Sequence, residues 1–313
     1  MKLLVTGGSG FIGSNFIHYW FAKHPKDGIV NIDMLTYAAD PKNLDGVEKH
    51  NYEFVKGDIV DMQVVEKASK DVDAIVNFAA ESHVDNSIKN SAQFVHSNIV
   101  GVHTLLEAAR KQGKRFHQVS TDEVYGALPL DSKERFTENS PYNPQSPYSA
   151  TKAAADHLVR AYHNTYKTNV TISNCSNNFG PRQHIEKLIP KTITNAMGGK
   201  KIPVYGNGMN VRDWIYVDDH NSAIELILSK GMAGETYLIG ANQEKRNIDL
   251  VKYILNYLNK PENLIEYVTD RLGHDLRYAI DATKIKKELG WKPKHEFEKS
   301  LNKTIDWYKE RFS

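Results

Sequence analysis

A phenol and an ammonium group stand four residues apart in the chain, on Tyr148 and Lys152. On a helix, residues at positions i and i+4 lie on the same face, so the two side chains would be neighbours. A tyrosine ordinarily titrates at about pH 10, and it needs an adjacent cation before it can act as a base near neutral pH. The pair is therefore a candidate proton-transfer site. The same spacing also arises by chance on many helices, so its context along the chain must support it.

Two adjacent carboxylates, Asp122 and Glu123, follow Thr121 at the end of an apolar run that is typical of a strand. In a continuing strand the two side chains would point to opposite faces of the sheet. They can serve one substrate only if the chain turns after the strand, at the edge where α/β sheets bind their ligands. We therefore predict a turn that presents both groups to one site. The alternative is that both are solvated loop charges.

Glycines recur at positions 7, 10 and 13, before a helix that should begin near Phe11. They let the backbone approach a pyrophosphate closely, and the first amides of the helix would face the phosphate. Asp33 ends the second predicted strand, where a carboxylate binds the ribose hydroxyls of adenosine and repels a 2′-phosphate. Asp58, after the third strand, is placed to meet the adenine amino group. The pattern favours NAD over NADP. The alternatives are a glycine-rich turn without a ligand and an Asp33 that only aids solubility.

Short runs of β-branched and apolar residues alternate with amphipathic segments through the first half of the chain. The runs are residues 3–6, 28–33, 52–57, 74–79, 116–120 and 170–175. This alternation predicts an α/β fold with a Rossmann-like doubly wound parallel sheet. Residues 94–112 and 149–166 have strongly helical spacing, and their apolar faces could pack against the sheet and against a partner subunit.

The regular alternation is lost after Gly180-Pro181 and resumes at residues 214–217, 223–228 and 236–239. We interpret this as the chain crossing between a larger lobe and a smaller C-terminal substrate-binding lobe. The predicted NAD-binding domain is 1–178 plus about 210–240, and the predicted substrate-binding domain is about 179–209 plus 241–313.

Composition argues against several classes of protein. Lys plus Arg number 40 against 38 for Asp plus Glu, so charge favours neither nucleic acid nor an anionic membrane as a partner. Cys175 is the only cysteine, which excludes an intrachain disulfide and predicts a buried thiol in a reducing compartment. No apolar stretch approaches the ~18 residues of a membrane span, and the first residues leave no room for a secretory signal. We expect a cytoplasmic protein and predict no metal site.

Motifs along nearly the whole chain resemble the extended short-chain dehydrogenase/reductase family, and within it the dTDP-glucose 4,6-dehydratases. They are residues 6–13, 77–85, 119–126, 146–152, 174–181, 187–190 and 211–219. The resemblance implies a catalytic triad of Thr121, Tyr148 and Lys152, with Asp122 and Glu123 as acid and base. It implies NAD as cofactor and a homodimer. The cofactor contacts would come from Gly7, Gly10, Phe11, Ile12, Gly13, Asp33, Asp58, Ile59, Ala79, Tyr148 and Lys152.

The resemblance also implies a nucleotide-sugar substrate. Arg212, together with Arg271 or His274, would bind the pyrophosphate, since a guanidinium forms bidentate bonds to phosphate. The implied substrate-binding residues are Ser82, His83, Asn178, Lys187, Leu188, Val204, Tyr205, Arg212, Asn247 and His274.

The expected reaction turns dTDP-glucose into dTDP-4-keto-6-deoxyglucose, through transient C4 oxidation by bound NAD, loss of water across C5 and C6, and hydride return to C6. The Asp-Glu pair favours this over epimerases, which usually carry small or hydroxyl residues there, and over decarboxylases, which carry Ser-Glu. UDP-glucose or UDP-N-acetylglucosamine as the substrate of a 4,6-dehydratase is an alternative. A nucleotide-sugar 4-epimerase, a decarboxylase and a silent dinucleotide-binding regulator are less favoured.

Overall fold

A parallel sheet forms the centre of the larger lobe. The computed structural model describes residues 1–312, and its strands are β1 (Lys2–Thr6), β2 (Gly28–Asp33), β3 (Asn51–Lys56), β4 (Ala74–Asn77), β5 (Arg115–Thr121), β6 (Val170–Cys175), β7 (Asn177–Phe179), β8 (Ile202–Tyr205), β9 (Val211–Tyr216), β10 (Thr236–Ile239), β11 (Glu244–Arg246) and β12 (Ile265–Val268). Seven strands pair in parallel in the order β10-β6-β5-β4-β1-β2-β3. The predicted Rossmann-like doubly wound sheet is confirmed.

Helices cover the sheet and build most of the smaller lobe. They are α1 (Phe11–Lys23), α2 (Met62–Ser69), α3 (Val84–Lys89), α4 (Ala92–Val95), α5 (Val102–Gln112), α6 (Pro147–Tyr166), α7 (Leu188–Met197), α8 (Val217–Lys230), α9 (Asn247–Tyr257), α10 (Thr283–Leu289) and α11 (Phe297–Phe312), with 3-10 helices at Pro41–Leu44, Val47–Lys49, Asp122–Tyr125 and Glu262–Leu264. Within residues 1–312, no helix has the length and apolar character that crossing a membrane requires.

Both faces of the central sheet are buried because its strands are apolar at successive positions. Leu4 faces one core, where it joins residues of α5 and α6. Leu3 and Val5 face the other, with residues of α1 and α8. Successive side chains of a strand point to opposite faces, and a parallel sheet is normally covered on both. The apolar runs of the sequence therefore produce a three-layer arrangement.

The helix expected over residues 94–112 has an irregular first half. Between α4 and α5, residues His96–Gly101 form a π-helical turn, which is wider than an α-helical one. Leu105 and Leu106 are buried as expected, whereas Val95 is 44% exposed. Within one chain the predicted apolar face is therefore buried only after the π turn, and the packing of Val95 against a partner subunit stays a prediction.

The smaller lobe contains its own core and two short sheets. β9 pairs with β7 and β11, and β8 pairs with β12. Helices α7, α9 and α11 pack around Ile193, Ile254 and Leu301. β9, which the predicted boundaries assign to the NAD-binding domain, thus pairs outside the central sheet. The division into two domains stays a prediction.

Candidate active site

A cavity of about 850 Å³ opens where the central strands end. β1 and β4 are neighbours, and the helices after them pack on opposite faces of the sheet, so a crevice forms at their carboxyl ends. The cavity wall includes every predicted catalytic and cofactor residue: Thr121, Asp122, Glu123, Tyr148, Lys152, Gly7, Gly10, Phe11, Ile12, Gly13, Asp33, Asp58, Ile59 and Ala79.

The glycine loop after β1 forms a tight cradle at one end of the cavity. Gly7 has φ +68°, and a Cβ there would lie 2.7 Å from the backbone of Ala79. A Cβ on Gly13 would lie 2.4 Å from the carbonyl oxygen of Gly7. Helix α1 begins directly after this loop with no side-chain cap and no acidic residue in its first turn. Its first amides are therefore available to an anion, which fits the pyrophosphate of a dinucleotide.

One carboxylate, Asp33, ends β2 and another, Asp58, follows β3, on the same side of the cavity. The two oxygens of Asp33 accept separate backbone hydrogen bonds, from Ser9 at 2.9 Å and from Leu35 at 2.8 Å. Asp58 pairs with the His96 imidazole at 3.5 Å. Both carboxylates lie where adenosine contacts are predicted, so this end of the cavity fits the adenosine half of NAD.

The carboxylate pair lies on a turn, as its predicted use requires. β5 ends at Thr121, and a 3-10 helix begins at Asp122. The Thr121 hydroxyl accepts a hydrogen bond from the Glu123 amide at 3.2 Å and so caps this turn. Because the chain has left the strand, Asp122 and Glu123 both reach the cavity wall.

The two carboxyl groups of the turn have different electrostatic surroundings. Burial raises the pKa of Asp122 well above its usual range, and the charge of Glu123 raises it further. Burial also raises the pKa of Glu123, which faces the cavity. Three cations oppose that second shift: Arg271, Arg212 and Lys187. The raised pKa favours the protonated form of Asp122, and the cations favour the ionised form of Glu123, so the pair can supply an acid beside a base.

Tyr148 lies in the first turn of α6, whose start is fixed by a capping box. The Ser146 hydroxyl accepts from the Ser149 amide at 3.1 Å, and the Ser149 hydroxyl accepts from the Ser146 amide at 3.0 Å. Burial raises the pKa of the Tyr148 phenol well above its usual range, and the neighbouring Glu123 adds to this. Lys152 follows one turn later, and its ammonium donates to the Val119 carbonyl at 2.8 Å.

The predicted substrate residues divide into two groups. Ser82, Asn178 and Lys187 line the cavity, where the Lys187 ammonium donates to the Ser82 carbonyl at 3.0 Å. The others lie outside its wall, on or towards the smaller lobe: His83, Leu188, Val204, Tyr205, Arg212, Asn247 and His274. The Val204 side chain packs in a core of that lobe beside Ile248.

Arg212 of the outer group and Arg271 form a cationic cluster that acts electrostatically on Glu123 of the cavity wall. The Arg212 guanidinium lies 4.2 Å from the Tyr278 ring centre and donates to the Asp275 carbonyl at 2.9 Å. The Tyr205 hydroxyl donates to Asp85 at 2.8 Å, and Arg271 lies 3.9 Å from the same carboxylate. Since Arg212 and Arg271 oppose the rise of the Glu123 pKa, this cluster marks the side from which an anionic substrate would be held.

Sequence reasoning missed several residues of the cavity wall because they lie in irregular segments. Asn98, in the π turn behind the wall, donates to the Glu81 carbonyl and to the Thr151 hydroxyl, both at 3.0 Å. Some of the missed residues do lie in or beside recognised motifs: Glu81 is within 77–85, Ser176 and Asn177 are within 174–181, and Glu186 directly precedes Lys187. The unpredicted wall residues include Met34, Thr36, Tyr37, Glu81, Gln93, His96, Ser97, Ser176, Asn177, Gln183, His184 and Glu186.

Comparison with known proteins places the chain in a family. The family model described as GDP-mannose 4,6-dehydratase matches residues 4–304. The dTDP-glucose 4,6-dehydratase of Mycobacterium tuberculosis is 52% identical over 314 residues, which cover 100% of this chain and 95% of the relative. The chain belongs to the dTDP-glucose 4,6-dehydratase family.

Solved structures agree with this family and show how widely the fold is shared. The crystal structure of DesIV, a dTDP-glucose 4,6-dehydratase from Streptomyces venezuelae with NAD and TYD bound, has a TM-score of 0.96 at 46% identity and covers 99% of this chain and 97% of its own. UDP-glucuronic acid 4-epimerase of Bacillus cereus has a TM-score of 0.93 at 26% identity, with 100% of both chains covered. Because an epimerase has the same fold, the reaction must be argued from the site itself.

Proposed function

We propose that the protein converts dTDP-glucose to dTDP-4-keto-6-deoxyglucose. The observation that carries this is the pair Asp122 and Glu123, which lie on one turn of the cavity wall in different electrostatic surroundings. Loss of water needs an acid for the departing hydroxyl and a base for the carbon-bound proton. Epimerisation at C4 needs neither group. The family supports the same reaction.

Each residue of the cavity then has its own role in the reaction. Tyr148 takes the proton of the C4 hydroxyl, Thr121 holds the C4 oxygen, and the Lys152 ammonium favours the ionised phenol. The ketone at C4 acidifies the C5 proton, which Glu123 removes. Asp122, whose pKa burial raises, donates a proton to the C6 hydroxyl, which leaves as water.

NAD fits the cradle of the glycine loop and the carboxylate of Asp33. When bound, it supplies the acceptor of the C4 hydride and, once reduced, the donor that returns it to C6. We propose that Lys152 also holds the nicotinamide ribose. Gly7 and Gly13 leave the backbone open to the pyrophosphate, and the buried Asp33 selects against a 2′-phosphate.

Incubation with a panel of nucleotide sugars tests the substrate. With dTDP-glucose, mass spectrometry should show a product lighter by one water, at a rate well above that with UDP-glucose or UDP-N-acetylglucosamine. A product of unchanged mass would indicate an epimerase, and loss of carbon dioxide from a nucleotide uronic acid would indicate a decarboxylase. Preference for a UDP-sugar would contradict dTDP as the nucleotide of the substrate, while the proposed dehydration would stand.

We further propose a homodimer that pairs the segment α4–α5 and α6 of two subunits in a four-helix bundle. It is supported by Val95 and Val100, which are 44% and 43% exposed on that segment. Sedimentation at micromolar concentration should give twice the 35.5 kDa of one chain. Val95→Asp with Val100→Asp should give monomers, because charges would be buried in the bundle.

The matched control for the dimer is Met232→Asp, since Met232 is 56% exposed outside these helices. This variant should sediment like the wild type. A wild-type protein that is monomeric, or a double variant that remains dimeric, would contradict the proposed bundle.

A cytoplasmic location is proposed as well. Its support is the single cysteine of the sequence, Cys175, whose buried thiol is free. A chain with one buried thiol suits a reducing compartment.

A further inference from the structure

A second charged pair continues the catalytic face of α6 beyond Lys152. Tyr148, Lys152, Asp156 and Arg160 follow one another at four-residue intervals, so they form one row along the helix. Asp156 is fully buried at 0% exposure. Burying a carboxylate costs folding free energy unless the group is hydrogen-bonded and accompanied by positive charge. The position of Asp156 directly behind the site therefore calls for an explanation.

Asp156 connects α6 to the end of β5 that carries Thr121. One of its oxygens, Oδ2, accepts three hydrogen bonds: from the Ser120 hydroxyl at 2.9 Å, the Tyr142 hydroxyl at 2.9 Å and the Asn174 amide at 3.0 Å. The same Asn174 amide donates to the Thr121 carbonyl at 3.1 Å. The carboxylate thus holds both residues of the strand end, one directly and one through Asn174.

Lys152 is tied to the same strand end. Its ammonium donates to the Val119 carbonyl, one residue before Ser120. Burial lowers the Lys152 pKa, and the charge of Asp156 is the largest influence that opposes this. On the far side, Arg160 donates to the Tyr142 hydroxyl at 2.7 Å and stabilises the carboxylate. Burial raises the pKa of Asp156, and the three donors and two flanking cations oppose this rise and so favour the ionised form.

We propose that Asp156 is a positioning residue for the step that removes the C4 hydrogen: it fixes the Thr121 end of β5 and places a carboxylate one helical turn behind Lys152. This inference rests on the proposed function, because it assigns Lys152 to that step. Asp156 itself does not line the cavity, so it acts only through Lys152 and the strand.

Apart from Tyr142, which one variant replaces, the other titratable groups around the row are the same in each variant below. Cys175 on β6 faces both Lys152 and Tyr148, and burial raises its pKa to about 12, so it stays neutral. Asp122 and Glu123 face Tyr148 from the turn after β5. Tyr125 faces Asp156 from the same turn, and burial raises its pKa far above neutrality. A change in pH dependence between variants therefore reports the charge at Asp156.

The test is the pH profile of product formation from dTDP-glucose in Asp156→Asn. Activity should fall at alkaline pH where Lys152 loses its proton. Without the neighbouring carboxylate the ammonium is less stable, so this alkaline limb should move to lower pH by about 1 to 3 pH units. At a pH above both limbs, the variant should be slower than wild type by about tenfold for each pH unit that separates the two limbs.

Two further variants keep the test decisive. Tyr142→Phe removes one hydrogen bond from Asp156 but leaves its charge, so its alkaline limb should stay at the wild-type position. Asp156→Ser, which leaves room for water among the three donors, replaces the Asn variant should that one fail to fold.

An unmoved limb in a folded neutral variant, or an equal displacement of the limb in Tyr142→Phe, would overturn the role of the Asp156 charge. Failure of the proposed function is distinguishable from either result, because the wild-type protein would then give no dehydrated product at any pH.

Discussion

Tyr148→Phe should abolish product formation and prevent any reduction of bound NAD. The hydroxyl is the only part of the side chain removed, and the proposed mechanism needs it to accept the C4 proton before anything else can happen. Loss of a general base typically lowers the rate by about 10² to 10⁴. Single-turnover absorbance of the reduced cofactor, measured beside product mass, should show neither signal above background.

Tyr162→Phe is the matched control on the same helix. Tyr162 is also buried, but its hydroxyl donates to Glu107 at 2.7 Å, away from the cavity wall. This variant should keep near-normal turnover. Substantial activity in Tyr148→Phe would show that another group removes the C4 proton and that the pair Tyr148 and Lys152 is not the oxidising machinery.

Asp122→Asn and Glu123→Gln should separate oxidation from dehydration. Both variants keep Tyr148 and Lys152, so they should still reduce bound NAD in a single turnover. Elimination then lacks its acid or its base, and product formation should fall by about 10² to 10⁴. Glu123→Gln should also slow exchange of the C5 hydrogen with solvent deuterium, because Glu123 is the group proposed to remove it. Absorbance and deuterium content by mass spectrometry measure the two effects.

Glu134→Gln is the control for the carboxylate variants, since Glu134 is exposed on the segment after the turn. It should dehydrate the substrate at the wild-type rate. Near-normal dehydration in both Asp122→Asn and Glu123→Gln would instead mean that the pair takes no part in the elimination. The argument for a dehydratase over an epimerase would then have no support from these residues.

The sequence predicts the central sheet and the cavity wall because both depend on local patterns. Apolar runs identify the strands, and a parallel sheet brings the residues after each strand to one edge. Asp33, Asp58 and Thr121 therefore converge although they are far apart in the chain. The turn at Asp122 is predictable for the same reason, since two adjacent carboxylates cannot share a site from within a strand.

Features set by tertiary packing are not visible in the sequence. Nothing in the helical spacing indicates the π turn at His96–Gly101. The spacing places Val95 on one face with Leu105 and Leu106, which are buried, whereas Val95 is exposed in the structure. The position of Arg212 against Tyr278, outside the cavity wall, depends on how the smaller lobe packs. The burial of Asp156 likewise depends on β5 and β6, although its spacing from Lys152 is plain in the sequence.

Labelling the substrate at C4 tests the central claim most directly, because the proposed mechanism requires one hydrogen to leave C4 and return at C6 within a single active site. Wild-type protein incubated with dTDP-glucose carrying deuterium at C4 should give a product that has lost one water and retains the deuterium at C6, without accumulation of free NADH. A product with the mass of the substrate, or a dehydrated product whose C6 carries no deuterium, would contradict this mechanism.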